Sequence, residues 1–201
     1  MIQYREYIAK VDGLEKKVGF LAESHIYTPK EDSFVEDIVR QYDNFAIEGG
    51  NWKIPWYVAY SMYIPCLIVA TSGGRQLSIP TAENLAEEYG KNIIYIEDNY
   101  VPSLRMKIGA TLFGIIATIL SPVWYPLNKI LPEKKSPKLS IIAATDITDC
   151  SNRSRFMIPN ALKAIRSYNN LLINIGNEHL DEMVQAISAE ISLQKVSETI
   201  I

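Results

Sequence analysis

The 201-residue chain is poor in the residues that most often announce chemistry: it holds two cysteines, Cys66 and Cys150, and two histidines, His25 and His179. The cysteines lie far apart without a C-x-x-C spacing, so neither a thiolate zinc site nor a disulfide framework is signalled, and both read as buried free thiols. There is no one-sided excess of basic residues either. Twenty Lys and Arg are mixed among 23 Asp and Glu for a net charge of −3, which speaks against nucleic acid as a partner. The first residues, Met1 to Tyr7, lack a basic region followed by an apolar run, so a secretory signal is not expected and a reducing cytoplasm is the expected compartment. No repeat of fixed period and no low-complexity tract interrupts the chain. What is present is core material, at 48% hydrophobic and 21% charged residues, in a length that suits one domain spanning 1–201.

The pattern of elements is β-α-β. Asp12-Gly13 separates two segments, Tyr4 to Val11 and Lys17 to Leu21, whose β-branched and aromatic content predicts strands joined by a tight turn. Phe34, Ile38 and Val39 recur at helical spacing before a buried strand, Phe45 to Ile47, that ends on Glu48 and two glycines. A helix from Pro80 to Glu88 and a strand from Ile93 to Ile96 follow, the strand ending on Glu97-Asp98. The last unit is a helix from Phe156 to Ile165, the strand Leu171 to Ile175, and a helix carrying Leu180, Met183, Val184 and Ile187 on one face. Strands alternating with helices predict an α/β fold: three layers, α/β/α, around a largely parallel sheet. Ligands of such sheets gather beyond the carboxyl ends of the strands, where the polar clusters fall.

Two stretches stand out, Ile54 to Gly74 and Ile108 to Asn128. Each is free of charge and approaches the roughly 20 apolar residues that cross a bilayer, although Pro55, Pro65, Pro122 and Pro126 interrupt them. Spanning conflicts with the rest of the pattern. One crossing would separate His25 from His179, and two would remove Ile93 to Ile96 from the sheet. The expectation is instead a projecting apolar helical hairpin, residues 108–131, turned at Ser121-Pro122 and buried against a second subunit or a membrane surface. Arg105 and Lys107 before it, and Lys129, Lys134 and Lys135 after it, suit lipid headgroups.

His25 and His179 occupy matching contexts, each just past a strand, beside a glutamate and ahead of a helix. Imidazole is the usual transition-metal ligand and titrates near neutrality, and Glu23, Glu48 and Glu178 supply carboxylates to complete a metal shell or move protons. The plainer alternative is that both histidines cap helices or bond to backbone carbonyls.

These residues belong to an ordered set: Ala22-Glu23-Ser24-His25, Ala46-Ile47-Glu48, Ala82 to Ala86 with Ile94 to Asp98, Asn152-Arg153 with Phe156-Met157, and Gly176-Asn177-Glu178-His179-Leu180. The set resembles the TraB/PrgY and TIKI proteins, distantly similar to erythromycin esterase and ChaN-like proteins, over most of the chain from about Lys17 to Ile187. It departs from that pattern at Ala22, where the family has glycine, at Asn99, where arginine is common, and at Asn152, where an acid is usual. The resemblance implies an α/β/α fold in which two G-x-x-H histidines, a strand-end glutamate and an arginine share one pocket. It further implies metal-dependent peptide hydrolysis, as in TIKI members, or control of a peptide pheromone, as in PrgY members.

Carried onto this chain, the resemblance makes His25, Glu48 and His179 the ligands of a divalent ion of the Mn, Co or Zn class, with one position open for water. Glu23 is the residue expected to take the water's proton. Arg153 fits either a substrate carboxylate or oxyanion, or a surface ion pair with nothing to do in catalysis. Asp98 fits a partner of a metal-bound imidazole or a plain turn residue, and Glu178 fits a helix cap. The expected activity is metal-dependent hydrolysis of a peptide or a small ester or amide. The alternatives are a module that sequesters a peptide in the same pocket without cleaving it, and a membrane-surface interaction protein. A homo-oligomer is expected alongside each.

Overall fold

Asp12 and Gly13 both have positive φ, 51° and 80°, the left-handed pair that a two-residue hairpin turn demands. The computed structural model describes residues 2–23, 26–27, 29–50, 53, 55–60, 76–77, 81–130 and 150–201. The turn joins β1 (Gln3–Val11) to β2 (Leu14–Glu23) in an antiparallel ladder that runs from Val11 opposite Leu14 to Gln3 opposite Ala22. Then come β3 (Ile26–Tyr27), α1 (Pro29–Arg40), β4 (Asn44–Ile47), β5 (Gln76–Leu77), α2 (Thr81–Glu88), β6 (Asn92–Tyr95) and α3 (Leu104–Ile130). The chain closes with α4 (Cys150–Ser167), β7 (Asn170–Gly176), α5 (Leu180–Glu190) and β8 (Ser192–Ile200). These elements divide between two compact units, the first made of Met1–Asn51, Ser78–Tyr100 and Ser151–Ile201, the second of Trp52–Leu77 and Val101–Cys150.

The first unit is built on a six-stranded sheet of order β6-β4-β7-β2-β1-β8. Its β6, β4, β7 and β2 run parallel, while β1 and β8 are antiparallel additions at one side. Parallel strands are buried on both faces and read as unbroken apolar runs, and the side-chain alternation here assigns each face its helices. Phe20, Ala22, Ala46, Ile173 and Ile175 pack on one side with Met157 and Ile165 of α4 and Met183 and Ile187 of α5. Leu21, Phe45, Ile47 and Leu172 pack on the other with Val35 and Val39 of α1 and Ala82 and Ala86 of α2. Helices on both faces of a mostly parallel sheet make the three-layer α/β arrangement. Ile93 and Ile94 lie within β6, so the segment between the two apolar stretches does belong to the sheet.

Strand β8 has no counterpart in the pattern read from the sequence. Eight of its nine residues are exposed and its pairing with β1 shifts register between Glu6 and Tyr7, so the period-2 signal that marks a half-buried strand is broken midway.

In the second unit, the turn expected at Ser121-Pro122 is absent: α3 continues through both Pro122 and Pro126 to Ile130. Each proline removes one amide donor and crowds the preceding turn, but a helix already nucleated over four turns keeps its remaining bonds. Among the described residues no helix is long and apolar enough to cross a membrane. Pro132 to Lys138 and most of Ile54 to Gly74, including Cys66, lie outside the described residues.

Across the sheet from the hairpin turn, Tyr42 reaches β1 and β2 through Tyr4 Oη at 2.7 Å, and Glu6 Oε2 accepts from Tyr4 at 2.7 Å and pairs with Lys17 Nζ at 3.1 Å. Burial opposes the charge on Glu6, but the bonds from Tyr4 and Lys17 outweigh it and hold the carboxyl below its ordinary range. Gly19, opposite Glu6 on β2, leaves the space that Tyr42 fills, since a Cβ there would stand 2.5 Å from the Tyr42 hydroxyl and 2.8 Å from Leu172 Cδ1. Gly19→Ala must displace Tyr42 and is expected to lower stability by about 1–3 kcal/mol. Urea unfolding measures it, and an unchanged midpoint would contradict this packing.

Candidate functional site

The parallel strands end together, and the backbone carries Glu48 and Glu97 to that edge. Glu48 N–H donates to Asn174 O at 2.8 Å, and Ile96 N–H donates to Ile47 O at 3.0 Å, so the ladder continues past β4 and β6. Gly50, at φ 124°, itself passes close to Asp98, whose Cα would stand 2.8 Å from any Cβ there. The Asp98 carboxylate accepts from Asn99 Nδ2 at 2.6 Å, and Asn99 has φ 64°, the local arrangement of a turn.

Over this edge lies the first turn of α4, which presents Arg153. The residue is 5% exposed, and its guanidinium donates from Nε to Glu97 Oε1 at 2.6 Å, from Nη2 to Glu97 Oε2 at 3.1 Å, and from Nη2 to Glu48 Oε1 in a very short contact. Glu97 is fully buried. The second Glu48 oxygen accepts from Gly176 N–H at 2.5 Å. A cation in the first turn of a helix opposes the macrodipole, whereas carboxylates there are favoured, so two glutamates compensate both the charge and its position. Arg153 thus owes its orientation to Glu97 and Glu48 across space, and the residue before it, Asn152, sits exposed.

His179 enters at the junction of β7 and α5. Its N–H donates to Gly176 O at 3.0 Å and its carbonyl accepts from Met183 N–H at 2.9 Å, which makes it the N-cap residue of α5, but its side chain forms no cap. The imidazole is fully buried. Its Nδ1 bonds to Ser154 Oγ at 2.8 Å, while Nε2 has no hydrogen-bond partner and lies 3.7 Å from Glu48 Oε1, beyond bonding distance. Neither of the plain histidine roles, capping with the imidazole or bonding a backbone carbonyl, describes this side chain. Burial depresses the His179 pKa; the Glu48 carboxylate opposes that shift and the Arg153 charge reinforces it, so the ring is neutral near pH 7. With the proton on Nδ1, donated to Ser154, Nε2 keeps a bare lone pair facing a carboxylate, the state an imidazole needs to ligate a metal.

Of the expected site residues, Glu48, Arg153 and His179 come together at one edge. Ser24 and His25 lie outside the described residues. Glu23 is buried at the end of β2, opposite Gly176, yet alternation sends it out with Leu21 on the α1–α2 side, whereas Glu48 leaves with Ala46 on the α4–α5 side. Glu178 is exposed and folds its carboxylate back to within 3.1 Å of where a Gly176 Cβ would be, without capping α5. Among the described residues no group of three or more His, Cys, Asp and Glu could hold a metal ion. His179 Nε2 and a Glu48 oxygen offer two donors of the right chemistry, and the third expected ligand is His25. Glu97 and Ser154 were not singled out from the sequence. The only signal for Glu97 was its place at the end of a strand, shared with Asp98, and Ser154 had none.

What fold and site define is an α/β protein with a buried ionic cluster beyond the carboxyl ends of its parallel strands. No protein-family model, curated protein or solved structure matches the chain.

The depressed pKa of His179 sets a pH dependence. The unfolded ring titrates near ~6.5 and the folded ring below it, so the stabilisation is complete above that value and is lost as pH falls through the folded pKa. Unfolding midpoints taken from pH 7.5 to pH 5 are expected to fall less steeply in His179→Gln than in the natural chain. Parallel slopes would contradict a buried neutral imidazole.

Proposed function

We propose that the chain is a metal-dependent hydrolase of the TraB/PrgY/TIKI kind, acting on a peptide or a small ester or amide, in the cytoplasm. The observation that carries this reading is the buried Nε2 of His179, left without a hydrogen bond and facing Glu48 across 3.7 Å. A fully buried polar atom without a hydrogen bond is costly unless a ligand completes it. His25, Glu48 and His179 would hold a divalent ion of the Mn, Co or Zn class, which when bound supplies Lewis acidity and lowers the pKa of water. Ser154, 2.8 Å from Nδ1, holds the ring of His179 in place. Arg153 and the Gly176 N–H hold the two oxygens of Glu48 and act as positioning groups. Glu23, expected from the sequence to take the water's proton, leaves β2 on the opposite face from Glu48 and is given no part in the hydrolytic step. Hydrolysis would add water at the substrate carbonyl carbon and break the C–N or acyl C–O bond, the proton given up by the water ending on the departing amine or alcohol.

The second reading, a pocket that sequesters a peptide without cleaving it, draws on one specific feature. The Arg153 guanidinium is bound to two carboxylates, which leaves it poorly placed to stabilise a developing oxyanion.

Metal loading followed by turnover of a mixed peptide library tests both. The natural chain is expected to bind one ion with an affinity that falls as pH drops through the histidine range, His179→Ala to lose most of the metal, and Glu23→Gln, on the opposite face, to keep both metal and turnover. Equal metal content in His179→Ala would sink the metal reading. Tight peptide binding with no product from the loaded natural chain would select the sequestering one.

A further inference from the structure

Helix α3 exposes the wrong face for a helix in water. Leu104, Ile108, Leu112, Ile115, Ile119 and Val123 recur at intervals of three and four, which lines them along one side, and each is about half to three-quarters exposed. The opposite side, at Met106 and Ala110, is buried. The helix is therefore apolar all round with only one side covered. Leaving six large aliphatic side chains in water is unfavourable by an amount comparable to the stability of a domain, so the stripe calls for an occupant.

Charge identifies it. The second unit carries eight Lys and Arg against three acidic residues, Glu133, Asp146 and Asp149, in a chain whose net charge is −3. No acidic residue occurs between Val101 and Ile130, Arg105 and Lys107 stand in the first turn of α3, and Lys129 stands in the last. Trp56, Tyr57 and Tyr60 of the same unit are also exposed, and ring systems with a polar edge favour the water–lipid boundary. A symmetric pairing with a second copy would bring two units of this basic composition together. An anionic bilayer offers the opposite charge and an apolar layer at once. Because the Met106–Ala110 side is already covered, α3 meets the surface with its exposed side and lies along it.

We infer that α3 is a membrane-docking element which lies in the headgroup region of an anionic phospholipid surface, its Leu104–Val123 stripe turned into the acyl boundary and its terminal Lys and Arg against the phosphates. This stands independently of the hydrolase reading, since it uses no residue of the pocket.

Co-sedimentation of the full chain with phosphatidylglycerol vesicles and with phosphatidylcholine vesicles tests it. Binding is expected to the anionic vesicles, with weakening in high salt and a reduction of about fivefold for each charge removed in Arg105→Gln with Lys107→Gln. Ile115→Glu with Ile119→Glu, both on the exposed side, is expected to abolish binding while the circular dichroism spectrum stays unchanged. Equal binding to both vesicles would overturn the charge argument. No binding to either, with light scattering showing a dimer that the glutamate pair dissociates, would overturn the proposal in favour of a second copy. No binding by a monomer would overturn it outright.

Discussion

One buried cation organises the pocket. Arg153 has almost no exposure, and water cannot compensate its charge, so the fold must supply anions with fixed geometry. It does so from two strand ends: Glu97 gives both oxygens and Glu48 gives one, while the other Glu48 oxygen is taken by Gly176 N–H. Four segments, the ends of β4, β6 and β7 and the start of α4, are thereby pinned to one another. A two-carboxylate arrangement carries net negative charge, and that is the potential a pocket needs if it is to attract a divalent ion or a cationic group.

The sheet makes this economical. Adjacent parallel strands stand about 4.8 Å apart, so residues one step beyond β4, β6 and β7 arrive within side-chain reach without long loops. The same regularity explains why Glu23 is separated from Glu48. Both are at the carboxyl edge and both flank the end of β7, but side-chain alternation sends them to opposite faces. His179, past the strand at the start of α5, is fixed by its own backbone bonds and by Ser154, and the imidazole comes to rest beside the glutamate on the α4–α5 side.

The central elements were legible because burial on both faces writes parallel strands as apolar runs, and turn residues such as Asp12-Gly13 and Gly90 punctuate them with positive φ. Glu48, Arg153 and His179 could be named from short motifs. What the sequence could not carry was the pairing of Arg153 with Glu97, two residues far apart in the chain whose meeting depends on strand order. A reader working residue by residue has no measure of that order. A register shift spoils the period of strand β8, and two prolines inside α3 read as a break although the helix on either side of them carries it through.

The claim that Arg153 and its carboxylates act as one unit is best tested by the unfolding free energies of Arg153→Met, Glu97→Gln and the two combined. Removing one member of a buried charge cluster strands the rest, so each single change is expected to cost about 3–5 kcal/mol. The combined change is expected to cost little more than either alone, a coupling of about 2–3 kcal/mol. Effects that simply add, within about 0.5 kcal/mol, would show that the two side chains do not depend on each other and would contradict the account.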